Sequence, residues 1–343
     1  MSINGNISFR SMILGRIEGF VDSTGIIPLI SKESLAQLIV AISNYTEEGK
    51  SFSPPIYITT DLDKLLRFIP GNSRIKIGEL GIDDNSPCVA LKRCAPLATD
   101  GWCIYLDCKA DKVFYGVFRD SLAPLAIPLE KALLQDGSGE TKVLRTQQSA
   151  PSCVELTNHN GDSHTIFISD KREAEPSPRQ FVSDLAQAIC SELKADIRPS
   201  AQTVIEKALN NGLEASHGAL VAVTRKDKPP QFLQDGLLLN EPLNFGELAR
   251  KALHGNEQDR MRLISFTKVL EGMFGCDGII VFNRKATLIG YNCFIKPSAK
   301  KTPASGGARK RAYGALQTRL GKGLFATFIR SQDGWSEFKQ ISQ

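Results

Sequence analysis

Gly218 to Thr224 reads GALVAVT, an almost unbroken apolar run closed by a threonine. A strand with one wet face alternates apolar and polar side chains, whereas a strand covered on both faces does not. The run therefore predicts a central strand with helices layered on either side, which is the pattern of an α/β domain. The flanking segments agree. Upstream, "SAQTVIEKALNNGLEASHG", 200–218, reads as a helix ending in glycine, and "FVSDLAQAICSELKADI", 181–197, repeats Phe181, Leu185, Ile189 and Leu193 every four residues. Downstream, "KDKPPQFLQDG" reads as a loop, and "NFGELARKAL" and "RMRLISFTKVLEGMFG" as helices, the second with Leu263, Phe266, Val269, Leu270 and Met273 on one stripe. "CDGIIVFN", "ATLIGYNCFIK" and "GLFATFIRS" read as strands, and "RAYGALQTRLG" as a helix opening near Ala312. The expected architecture of this half is a mixed-sheet α/β sandwich.

The preceding residues carry a different pattern. "PLISKESLAQLIVAISNY", 28–45, places Leu35, Leu38, Ile39 and Ile42 at helical spacing, with Ser31 and Ser34 able to cap its start. "PPIYITT" reads as a strand. "GWCIYLDC" and "KVFYGVFRD" flank a polar turn at 109–112, and "SCVELTN" and "SHTIFISD" flank "HNGD", so two hairpins are expected. "KREAEPSPRQ", 171–180, has the composition of a linker. A chain of 343 residues exceeds what one core usually serves. The division expected is an α+β N-terminal domain over 1–172 and an α/β domain over 173–343.

Bulk properties narrow the function classes. No apolar run reaches membrane-spanning length, and the segment at Met12–Leu14 is too interrupted for a signal peptide. The expectation is a cytoplasmic protein with no membrane partner. The eight cysteines form no CxxC pair, and the four histidines lie far from the closely spaced Cys88/Cys94 and Cys103/Cys108, so the cysteines read as reduced, packed thiols rather than zinc ligands.

Charge is the more telling property. The net charge is +5, but between Asp277 and Asp333 there is no acidic residue, while Arg284, Lys285, Lys296, Lys300, Lys301, Arg309, Lys310, Arg311, Arg319, Lys322 and Arg330 fall within that stretch. The rest of the chain is net acidic. Such a concentrated positive region favours a phosphate-bearing partner. Within it stands "GGARKRAYGAL", 306–316. Guanidinium groups fork onto phosphate oxygens, Gly306 and Gly307 allow close backbone approach, and a helix opening just beyond points its N-terminal dipole at an anion. A basic tripeptide taken alone reads rather as a solvated loop tip. The missing acids and the paired glycines tilt the reading towards an anion site. Asp277, alone, reads either as a turn cap or as a carboxylate able to hold a divalent ion.

Four segments in order resemble the diadenylate cyclase superfamily. They are Gly218-Ala219-Leu220-Val221, Asp277-Gly278-Ile279, Gly307-Ala308-Arg309-Lys310-Arg311-Ala312 and Ser331-Gln332-Asp333-Gly334. They parallel that family's GALIVI-like strand, its DGA motif, its GTRHRAA loop and its final SEETG-like strand end, over about 200–340. The N-terminal half, through "LIVAISNYTEEGK", "PPIYIT" and "DGWCIYLD", resembles the front of the DACNV group, cyclase-like proteins interpreted as nucleotide sensors in bacterial conflict systems.

The resemblance implies a nucleotide ligand, ATP or a cyclic dinucleotide. Gly218, Gly278, Gly306, Gly307, Arg309, Lys310, Arg311 and Ser331 would bind it, and Asp277 and Asp333 would be the catalytic pair, with Asp277 holding Mg²⁺ or Mn²⁺. It also implies a downstream effector protein and a homo-oligomer, since two ATP molecules must meet head to tail for cyclisation. The chain departs from the cyclase pattern at several points. Cys276 stands where a histidine precedes the aspartate, Lys310 replaces the middle histidine, Ile279 replaces the DGA alanine, and Ser331-Gln332-Asp333 carries one acid rather than two. These departures favour a binding sensor over an active diadenylate cyclase, which stays as the alternative. A nucleic-acid-binding module is a third class, and there is little aromatic interleaving for it, because Phe282, Tyr291, Phe294 and Tyr313 fall mostly at core positions of strands or helices.

Overall fold

The computed structural model describes residues 9–24, 30–69, 73–120, 125–126, 129, 132–133, 142–168, 177–233, 235–295, 307–332 and 334–341. The chain divides into two compact units, one over Met1–Leu122 and Ala126–Glu175, the other over Ala123–Leu125 and Pro176–Gln343. Each is a mixed α/β assembly around one large sheet. No helix among the described residues is long and apolar enough to cross a membrane.

The first unit opens with α1 (Phe9–Thr24) and α2 (Lys32–Ile42), then the short pair β1 (Thr46–Glu47) and β2 (Lys50–Ser51). The Ser31 hydroxyl accepts from the Ser34 amide at the start of α2, as its sequence suggests. Next come β3 (Ile56–Thr59), α3 (Leu62–Leu66), β4 (Arg74–Gly81), α4 (Ser86–Cys94), the hairpin β5 (Trp102–Lys109) and β6 (Lys112–Arg119), then β7 (Val143–Ala150), β8 (Cys153–Asn158) and β9 (Ser163–Phe167). The sheet order is β4-β6-β5-β3-β7-β8-β9, with β3 and β5 parallel.

One face of this sheet takes Ile13, Ile17 and Val21 of α1, Leu35, Leu38, Ile39 and Ile42 of α2, and Leu91 of α4 against Ile56, Ile58, Ile104 and Leu156. Fully burying each such aliphatic side chain contributes roughly 1.5–3 kcal/mol. The other face packs Tyr57, Tyr105 and Phe118 against Leu62, Leu65 and Leu66 of α3.

The second unit contains α5 (Pro178–Ile189), α6 (Arg198–Ala215), β10 (Ala219–Thr224), β11 (Asp235–Asn244), α7 (Phe245–His254), α8 (Glu257–Met273), β12 (Ile279–Asn283), β13 (Thr287–Phe294), α9 (Ala308–Gln317), β14 (Leu324–Arg330) and β15 (Ser336–Gln340). The order is β11-β13-β12-β10-β14-β15, with β10 and β12 parallel and the other neighbours antiparallel. The GALVAVT run is a central strand buried along its length. Val221 and Val223 enter the core shared with α5–α8, while Leu220 and Ala222 enter the core beneath α9, with Tyr313 and Leu316. An apolar run without alternation thus serves two cores at once.

Several elements differ from the sequence reading. The helix expected over 181–197 is α5, which starts earlier, behind Ser177 and Pro178, and stops at Ile189. The loop expected over 226–236 ends in the edge strand β11, which opens at Asp235 and runs through residues 237–242, for which the sequence predicts no element. The strand expected from Cys276 begins only at Ile279, so Asp277 and Gly278 lie in the bend before it. The helix expected near Ala312 begins at Ala308.

Candidate functional site

The parallel register of β10 and β12 pairs Leu220 with Ile279, and the antiparallel register of β10 and β14 pairs Ala219 with Arg330. Gly218, Gly278 and Ser331 therefore leave three adjacent strands at the same end of the sheet. Three segments distant in sequence converge there because the register requires it. This is the amino end of the parallel pair, whereas ligands of open parallel sheets favour the carboxyl end. At the carboxyl end here the polar groups satisfy one another: the Asn283 amide donates to Asp227 Oδ1 at 3.0 Å, and Lys285 Nζ stands 2.9 Å from Asp227 Oδ2.

Gly218 is buried and holds φ +105°, a conformation that L side chains rarely adopt. Arg309 Nη1 donates to the His217 carbonyl oxygen at 2.9 Å, which brings the start of α9 against the start of β10. Gly278 holds φ +97° and backs onto Asn292 and Cys293 of β13. Ser331 closes a tight turn, its amide and hydroxyl both donating to the Trp335 carbonyl oxygen at 2.7 and 3.1 Å. Gly334 in that turn holds φ +83°.

The three cations lie in the first turn of α9, not in a loop before it. That corrects the expectation of three side chains converging on one anion, because successive helical residues are rotated by about 100°. Arg309, half-buried, turns to the His217 carbonyl. Lys310, exposed, sets its ammonium 5.4 Å from the centroid of the Trp335 ring. Arg311 is exposed on the following position. Trp335 meets Tyr313 edge-on, centroids 6.3 Å apart at 83°. Burial pushes the Tyr313 phenol up to about 12, with the Glu337 charge acting in the same direction, so it stays neutral.

The N-cap of α9 is Gly307, which supplies no capping side chain, and the first turn holds no acid. Helix starts ordinarily favour the opposite charge, each such interaction being worth roughly 0.3–1 kcal/mol. Among the described residues, a Cβ added at Gly307 would meet nothing within 4 Å. No carboxylate pairs with Arg309 or Lys310 among the described residues.

Asp277 is exposed and makes no hydrogen bond or ion pair with the described residues. Its carboxylate is open to a cation, but no group of three or more His, Cys, Asp or Glu side chains placed to hold a metal occurs among the described residues. Gly306 and Asp333 lie outside the described residues, so the expected Asp277–Asp333 pairing has no geometry here. Sequence reasoning missed Asn292, whose backbone stands against Gly278. No family model matches the chain, and no curated protein matches it.

Proposed function

We propose that this chain is a nucleotide-binding sensor that takes ATP or a cyclic dinucleotide through a diverged, diadenylate-cyclase-like C-terminal unit. It would act with a downstream effector protein in a bacterial antiphage signalling system. The observation that carries the reading is the start of α9, which gathers Arg309, Lys310 and Arg311 with no acid and no N-cap side chain. A helix selected only to fold would not concentrate positive charge at its positive end. A bound phosphate reverses the balance: its oxygens accept from the first-turn N–H groups and from the Arg309 guanidinium, and its charge offsets positive charge in that turn.

Arg309 is pre-positioned for this by the His217 carbonyl. Charge-assisted hydrogen bonds contribute roughly 1.5–3 kcal/mol each, so a few of them give affinity on the order of micromolar. Mg²⁺ or Mn²⁺, which usually binds through one or two carboxylates and substrate phosphates, would take Asp277 as its protein ligand and neutralise phosphate charge. The departures at Cys276, Ile279 and Lys310 remove groups the cyclase pattern carries, which favours sensing over turnover. Binding then acts by differential affinity for two states of the chain or its assembly.

The open carboxylate of Asp277 favours one alternative, an active diadenylate cyclase working as a face-to-face homo-oligomer. Mass spectrometry of small molecules released from the purified protein, followed by titration, tests the sensor reading. ATP or a cyclic dinucleotide is expected. A chain that carries neither and binds neither overturns the proposal. A cyclic product formed from ATP with Mn²⁺, and lost in Asp277→Asn, selects the enzyme.

A further inference from the structure

Around Asn292, β13 carries one residue more than each of its two neighbours. On the β12 side, Ile279 pairs with Cys293 and Val281 with Gly290. On the β11 side, Asp235 pairs with Phe294 and Leu237 with Tyr291. Each step of two residues in a neighbour consumes three in β13, the pattern of a β-bulge. The two cores record the same slip: Tyr291 packs with the α5–α8 core while Cys293, two residues on, packs with the core beneath α9.

Asn292 is the residue at the bulge, at φ +50° in the left-handed region. A glycine stands against it from each side, Gly236 in β11 and Gly278 in the bend before β12. A Cβ at Gly278 would stand 2.9 Å from Asn292 Cα and 2.8 Å from its carbonyl carbon. A Cβ at Gly236 would stand 2.7 Å from Asn292 O and collide with Cys293 Cα. Asn292 is half-buried, and its side-chain amide makes no hydrogen bond with the described residues.

Bulges are over-represented at sheet edges and next to active sites, where they re-aim a side chain or end the pairing. If this one served only to bend the strand, glycine would meet its backbone requirement at least strain. Here the neighbours are glycine and the bulged residue is an amide. We infer that Asn292 is a specificity-determining residue of the nucleotide site, its amide presenting one donor and one acceptor to the edge of a nucleobase. The inference rests on the nucleotide-binding reading above. Asn292 lies two strands from β10, where Gly218 and Arg309 meet, a span of about 10 Å at ordinary strand spacing, which is the scale of a nucleoside. An amide reads a base edge that carries an adjacent donor and acceptor, and discriminates against one where they are exchanged.

The test compares wild type, Asn292→Gly and Asn292→Asp by calorimetry. Glycine keeps the left-handed backbone and removes the amide; aspartate keeps the shape and replaces the donor with an acceptor. The probes are tripolyphosphate, ATP against GTP, and cyclic di-AMP against cyclic di-GMP. The expected result is a wild-type preference of at least tenfold within the ATP–GTP or the cyclic pair. It should fall to within about twofold in both variants while tripolyphosphate affinity is unchanged. A wild type that does not discriminate, or variants that keep the preference, overturn the inference while leaving the phosphate site standing. Parallel loss of tripolyphosphate binding in the glycine variant makes Asn292 structural and overturns it as well. A wild type that binds none of the probes overturns the nucleotide reading itself.

Discussion

The guanidinium of Arg309 fills the space that a side chain at residue 218 would need. A Cβ on Gly218 would stand 2.8 Å from Arg309 Nη1 and 2.6 Å from the Arg330 carbonyl oxygen, and Nη1 already donates to His217 O. One residue without a side chain therefore lets the helix that carries the cations seat against the strand that opens the sheet.

Gly218→Ala adds this collision to a φ of +105°. The expected loss of stability is about 1–3 kcal/mol, read by urea unfolding, together with weaker nucleotide binding through displacement of Arg309. Stability and affinity both equal to wild type would show that the close approach is dispensable.

The chain has two tryptophans, Trp102 and Trp335. The Lys310 ammonium lies 5.4 Å from the Trp335 ring. A phosphate at the start of α9 competes for that ammonium, so ligand binding is expected to change Trp335 emission. The change should persist in Trp102→Phe and vanish in Trp335→Phe. A signal that follows Trp102 would place the ligand elsewhere.

Gly212 in α6 faces Phe274, and an added Cβ would collide with the edge of its ring. Gly212→Ala is expected to cost about 1–3 kcal/mol through overpacking, despite the higher helix propensity of alanine. An increase in midpoint denaturant concentration would contradict the packing.

The first unit carries a pH dependence of definite sign. His164 stacks on Phe20 of α1, ring centroids 5.5 Å apart at 19°. Burial, first, and the nearby Arg16 charge hold its pKa below the usual 6.5, against a backbone hydrogen bond that acts the other way. The folded state thus prefers the neutral ring. Stability is complete above the unfolded value and falls as pH drops through 6.5 towards the lower folded-state value. His159, also held low by burial, adds in the same direction. Unfolding followed from pH 8 to pH 5 should show this fall, and His164→Phe should flatten part of it. A slope unchanged in the variant would remove His164 as the cause.

Some of this was readable from the residues alone. Burial on both faces leaves β10 without alternation, and β5 and β6 are marked by the polar turn between them. Gly218, Gly278 and Ser331, each singled out in the sequence, are brought by strand register to one end of the sheet. Other features were hidden for physical reasons. The edge strand β11 leaves Leu237 and Leu238 exposed and contains Pro242, so it shows neither alternation nor a buried run. In β7, Arg145 and Gln147 are buried although their types belong on surfaces, and Arg145 donates to Gln147 there. The start of α9 is masked in the sequence because a basic tripeptide after glycine resembles a loop, although Ala, Arg and Lys are good helix formers. The bulge at Asn292 depends on pairing with two other strands, which no local pattern records.

The most direct test of the anion site is calorimetric titration of ATP and cyclic di-AMP into wild type and into the Arg309→Ala, Arg311→Ala double variant. Circular dichroism would confirm that both are folded. The site as described predicts wild-type binding on the order of micromolar and at least a tenfold loss in the double variant, about 1.4 kcal/mol. Equal affinity in the two proteins, or no binding by wild type, would contradict it.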